Sequence, residues 1–218
     1  MSGAFFFKLI FLSSLLFLLN SCNRGMVLKI GDQDIFAFGT EDSCNFVQNA
    51  QGVRVSWKSA VPFHLLITSS VPPKYDSSIL KAVNTWNARK GMTLIEAHRD
   101  NAAPNSVGSD GVNGIYWLTE WSSDQQNEQG RTSIKWDISK LKEVDIKINA
   151  KNFKFYTDTD SDKTGKISLE SLILHELGHA MGLKHIEQSD SVMQPYLATG
   201  KDRNTPGNID INSLNCEY

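Results

Sequence analysis

A chain of 218 residues, 40% hydrophobic and 21% charged, is long enough to bury one core and still carry accessory segments. A formal net charge of -2 provides no basic stripe to neutralise a phosphate backbone, so nucleic acid is excluded as an expected partner. No internal repeat or low-complexity tract follows residue 25.

Residues 1–21 read as a leader. Lys8 precedes an eleven-residue apolar run, Leu9 to Leu19, which has the length of a signal-peptide core and falls short of the ~20 residues that span a bilayer. Leu19-Asn20-Ser21-Cys22 resembles a bacterial lipobox, which implies lipidation of Cys22 and attachment to a membrane through the lipid. A plain secretory signal and an uncleaved anchor are the alternatives, and export is expected on each. Asn23 is not the aspartate that holds many such proteins at an inner membrane, so the outer membrane or cell surface is expected, or secretion if the lipobox is not used. In an oxidising compartment, with Cys22 spent on lipid, Cys44 and Cys216 remain to form a disulfide; two free buried thiols are the alternative.

Residues 22–43 read as a tether with one short strand around Met26–Ile30, and 44–218 as one folded domain. Val53–Trp57 and Pro62–Thr68 are apolar and β-branched enough for strands. Next comes a helix with Ile79, Ala82, Val83 and Trp86 on one face, Asp76 or Ser77 as N-cap and Gly91 as stop. Met92–Ala97 returns as a strand, and His98–Gly114 reads as loop. Gly114–Trp121, Thr132–Ile138 and Glu143–Asn149 read as three further strands. In the last, Val144, Ile146 and Ile148 alternate with Asp145 and Lys147, and Phe153–Tyr156 extends or pairs with it. Trp57, Trp86, Trp117 and Trp136 are expected between sheet and helix, and His64 and His98 to be structural.

Asp158, Asp160 and Asp162 alternate as calcium ligands do, yet neither register completes an EF-hand loop. A solvated acidic loop and an irregular calcium site both stay open.

Ser168 then caps a helix, with Ile167 and Leu172 as its hydrophobic staple and Glu170 at its positive end. His175 and His179, one turn apart, share a face, and Gly182 permits the left-handed turn that brings His185 back to them. Three imidazoles favour zinc and leave a fourth tetrahedral position open, the form of a catalytic site. Bound zinc lowers the pKa of water to about 7, and Glu176, next to the first ligand, is placed to act as general base.

HELGHAMGLKH matches HExxHxxGxxH in full, and a Ser191-Val192-Met193-Gln194-Pro195 turn follows, with Met193 eight residues after His185. Together they resemble the metzincin zinc metallopeptidases, and the SxMxP turn resembles the matrixins, the short bacterial ones included. The resemblance implies a mixed α/β (α+β) domain: a twisted mixed sheet, a backing helix, an active-site helix and a small C-terminal subdomain after Gly182. It implies Met193 beneath the zinc and a protein or peptide substrate extended along an edge strand within residues 128–148. Matrixins usually place tyrosines directly after the turn methionine and four residues beyond it, where this chain has Gln194 and Leu197, with Tyr196 between. A role for Tyr196 therefore does not follow from the resemblance. No cysteine switch is present. The expected function is that of a tethered, monomeric zinc endopeptidase; a zinc-bearing lipoprotein that binds without turnover is the alternative, and a peptidase for envelope peptides differs only in substrate.

Overall fold

The computed structural model describes residues 44–218 and, ahead of them, the antiparallel pair β1 (Lys29–Ile30) and β2 (Gln33–Asp34). The leader 1–21, Cys22 and most of the 22–43 tether lie outside the described residues, and of the strand expected around Met26–Ile30 only its end is described.

The main sheet forms from β3 (Phe63–Thr68), β4 (Ile95–Asp100), β5 (Gly114–Leu118), β6 (Gly130–Asp137) and β7 (Lys140–Asn149), in the order β4-β3-β5-β7-β6. Crossovers make β4, β3, β5 and β7 parallel, one of them through α1 (Asp76–Lys90). Only Ile138 and Ser139 separate β6 from β7, and so short a link forces them antiparallel. The sheet is therefore mixed, as expected, with β6 and β4 at its edges.

Val144, Ile146 and Ile148 are buried, as their alternation predicts, and α1 packs against α2 (Leu169–Ala180), which lies on β6 and β7. Asp145 departs from the alternation, because it too is buried. The preceding loop folds over that face of the sheet: Gly111 N–H donates to Glu143 Oε2 (2.5 Å) and Lys135 Nζ to the Gly108 carbonyl (2.7 Å). Burial, then the Glu143 charge, pushes Asp145 up to about 7, and among the described residues its Oδ1 and the Tyr116 hydroxyl are buried without a hydrogen-bond partner.

Other expectations are corrected by tertiary context. Val53–Trp57 forms no strand of the sheet; it makes isolated bridges, Arg54 with Gln48 and Ser56 with Lys140. The N-cap of α1 is Tyr75, because the Asp76 carboxylate is turned to Arg99 Nε (2.8 Å). Gly91 does end α1, at φ 75°. The next strand begins at Ile95 and includes His98–Asp100, which had read as loop, since each residue finds a register partner on β3. Phe155–Tyr156 (β8) pairs in parallel with Ile167–Ser168 (β9), not with β7.

Trp86 is buried and donates Nε1–H to the Leu174 carbonyl (2.8 Å), tying α1 to α2. Trp57 stacks on Phe63 and donates to the Ala180 carbonyl (2.9 Å). Trp117 stacks on Tyr75, and Trp136 is half-buried against the core. His64 is exposed, 3.3 Å from Glu96, and among the described residues neither it nor His98 joins a cluster of metal-ligating groups. Beyond Gly182 the chain forms a smaller part ending in α3 (Asn208–Leu214).

Candidate metal centre

The Ser168 hydroxyl caps α2, accepting from Ser171 N–H at 3.4 Å, and the helix is buried on almost every side. It ends at Met181, where Gly182 takes φ 101°. A Cβ there would overlap the Val55 carbonyl oxygen, so the turn requires glycine twice over, for conformation and for space. The chain doubles back: Leu183 N–H donates to the Gly178 carbonyl (3.0 Å) and Lys184 N–H to the Asn45 carbonyl (2.8 Å).

This turn brings His175, His179 and His185 together with their Nε2 atoms 3.1 Å apart in all three pairs. His175 Nδ1 lies 2.8 Å from the Val192 carbonyl and His179 Nδ1 2.7 Å from the Leu183 carbonyl. Those carbonyls accept, so each Nδ1 carries the proton and each Nε2 turns a lone pair inward. Burial lowers the pKa of all three rings, that of His175 to about 3, which keeps them neutral. Lone pairs facing one another without a proton between them call for a cation. Ligands at ~2.05 Å from a tetrahedral zinc lie about 3.3 Å apart, so the triangle fits that ion.

Glu176 is only 4% exposed, and burial pushes its carboxyl up to about 7. Thr132 Oγ1 on β6 lies 2.6 Å from Glu176 Oε2 and 3.1 Å from its carbonyl oxygen; its single proton serves one of them at a time. A Cβ on Gly130 would stand 2.8 Å from Glu176 Oε1. The edge strand thus forms the seat of this carboxylate, with a hydroxyl on one side and the bareness of a glycine on the other.

Met193 packs against the histidine helix at Gly178. A Cβ at Gly178 would overlap its Sδ, so the thioether occupies the place of a side chain in the helix. The Met193 turn hangs on one carboxylate. Asp210 accepts from Ser191 Oγ (2.5 Å), Val192 N–H (2.9 Å) and Gly207 N–H (2.8 Å), and Ser191 Oγ accepts from Met193 N–H (2.9 Å). Val192 in turn orients His175, so Asp210 in α3 reaches a ligand through two links. Gln194 begins one wall of a cleft of about 670 Å³; the start of β6 forms the other.

Cys44 and Cys216 form the expected disulfide, with S–S 2.04 Å. The three aspartates of the acidic loop are engaged separately: Asp158 pairs with Lys81, Asp160 accepts from Thr157 N–H (2.7 Å) and Asp162 from Thr164 N–H (3.0 Å). Among the described residues the histidines are the group arranged to share an ion.

Thr132, Gly130, Gly178 and Asp210 are the site residues that reading along the sequence missed. Gly178 alone left a signal, since a glycine inside a helix costs ~1 kcal/mol relative to alanine and implies a packing reason.

A family model described as matrixin matches residues 69–218. Metalloendoproteinase 2-MMP of Arabidopsis thaliana is 36% identical over 55 residues, covering 25% of this chain and 15% of that protein. The family match begins just after β3 and leaves out the Cys44–Trp57 segment that pairs beneath Gly182. With well over half of its length matched, and with the histidine triangle, the glycine turn and the underlying methionine in place, this chain belongs to the matrixin family of zinc metallopeptidases.

Proposed function

We propose that this chain is an exported zinc endopeptidase, attached to a membrane by lipid on Cys22, in which Glu176 is the general base. The observation that carries the reading is the buried Glu176 carboxylate seated by Thr132 beside three converging Nε2 atoms. Zinc held by His175, His179 and His185 would supply a Lewis acid for the scissile carbonyl and lower the pKa of water to about 7. Thr132 holds Oε2 and leaves Oε1 to take the proton from the attacking water and pass it to the leaving amine. A carboxyl raised by burial suits a group that must both accept and return a proton near neutrality. β6, an edge strand whose start lines the cleft, offers unpaired backbone groups to an extended substrate.

The test uses zinc stoichiometry together with cleavage of a denatured protein by the parent, the chelated parent and Glu176→Ala. One zinc per chain and cleavage lost in both treated samples are expected. One zinc with no cleavage beyond that of Glu176→Ala would replace catalysis by peptide binding. Cys22→Ser should release the protein from membranes; retention would remove the lipid anchor from the reading.

A further inference from the structure

One cation holds the cleft wall opposite β6. Arg203 donates Nη1–H to the Gln194 carbonyl (3.2 Å) and Nη2–H to the Tyr196 carbonyl (2.7 Å), bridging the two residues that flank Pro195. It lines the cleft itself, and these bonds use two of its five N–H groups. Among the described residues no carboxylate lies within ion-pairing distance of it. The contrast is Arg131 on the opposite wall, which Glu128 neutralises through two bonds of 2.8 and 2.7 Å. Burial pulls the Arg203 pKa below its ordinary value, while the more distant Asp210 charge works the other way. A half-buried guanidinium with spare donors and no counter-ion among the described residues favours a ligand that brings a carboxylate.

We propose that Arg203 makes this cleft prefer an acidic substrate side chain at the residue that enters beside the Gln194–Leu197 wall. The inference rests on the endopeptidase reading, and binding data separate the two. The zinc-loaded chain is given peptides that differ only by Glu, Gln or Leu at each position flanking the cleaved bond. At one position Glu should exceed Gln by ~10-fold in kcat/KM, as a charge-assisted bond to a partly desolvated cation would give. Arg203→Gln should abolish that ratio and Arg203→Lys keep part of it, with zinc stoichiometry unchanged in both as the check on folding. Equal rates for Glu and Gln at every position would overturn the proposal. So would a uniform loss on all peptides in Arg203→Gln, which would make Arg203 a clamp for the wall alone. If the parent cleaves none of the peptides, the endopeptidase reading fails, and fluorescence anisotropy of labelled peptides decides the inference: Glu bound ~10-fold tighter than Gln supports it, and equal affinity overturns it.

Discussion

The histidine triangle lies between two regions built on different terms. Beneath it, Phe46 bridges to Leu183, Val47 N–H donates to the Gly182 carbonyl (2.8 Å), Tyr218 Oη donates to the Met181 carbonyl (2.6 Å), and the Cys44–Cys216 disulfide closes the arrangement. This brace is made of backbone hydrogen bonds, buried rings and a covalent link. Above it, the cleft rims are held by side chains: Gln129 Nε2 donates to the Leu197 carbonyl (2.8 Å), Arg203 grips the wall, and Tyr196 is 67% exposed. Metal ligands must be placed to within ~0.2 Å, which only over-determined backbone secures. On the proposed function, a rim that meets varied peptides needs side chains free to adapt.

The contrast can be broken most severely at the brace. Gly182→Ala should cost about 4 kcal/mol, since it adds a positive-φ strain to an overlap with backbone, and urea denaturation together with zinc content would show it. If stability stayed within 1 kcal/mol of the parent, the brace would not fix His185. Replacing Cys44 and Cys216 by serine should lower stability by about 3 kcal/mol, the usual size of the loss when such a covalent tie is removed. Peptide cleavage at low temperature should survive that change; its loss would mean that the disulfide shapes the site directly.

Thr132→Val tests the strand that joins the rim to Glu176. We expect kcat to fall ~10-fold with KM and zinc content little changed, and Thr132→Ser to recover most of it. An equal loss in Thr132→Ser would assign the effect to packing.

A smaller effect concerns pH. Burial works against the Glu217 charge in the brace, but the bonds from Lys58 Nζ (2.6 Å) and Ser56 Oγ (2.7 Å) outweigh it and hold the carboxyl below its ordinary pKa. A lowered folded pKa means that the stability is fully present above the unfolded value of about 4.5 and is lost as pH falls through the folded value. Glu217→Gln should therefore cost about 1 kcal/mol at pH 7, and the cost should shrink as pH falls below 4.5. A constant difference across that range would rule out the charge as its source. The smallest effect belongs to the rim. Tyr196→Ala should change stability by less than about 0.5 kcal/mol while altering KM, and a larger stability loss would make the rim part of the brace.

The active-site helix was legible because its information is local. Ser168, His175, His179 and Gly182 act within a few turns, and capping, the 3.6-residue period and the left-handed glycine apply at that range. The edge strand was narrowed to residues 128–148 and no further, since strand order depends on which crossovers pack. Asp145 was misplaced because alternation along β7 cannot register a loop from thirty residues earlier closing over that face. Thr132 and Gly130 carried no mark, being unremarkable residues until β6 is laid against α2.

By itself the sequence determined the chemistry of the centre: three imidazoles, a carboxylate beside the first, the glycine that turns the chain and the methionine that follows. Residue identity and short spacing suffice where the relevant atoms are a helical turn or a tight bend apart. Only the tertiary structure decided how Glu176 is seated, that Asp210 steadies His175 through the Met193 turn, and that Arg203 lines the cleft without a counter-ion among the described residues. Those relations join residues 9 to 44 positions apart, and the distances that make them interact exist only once the core has closed.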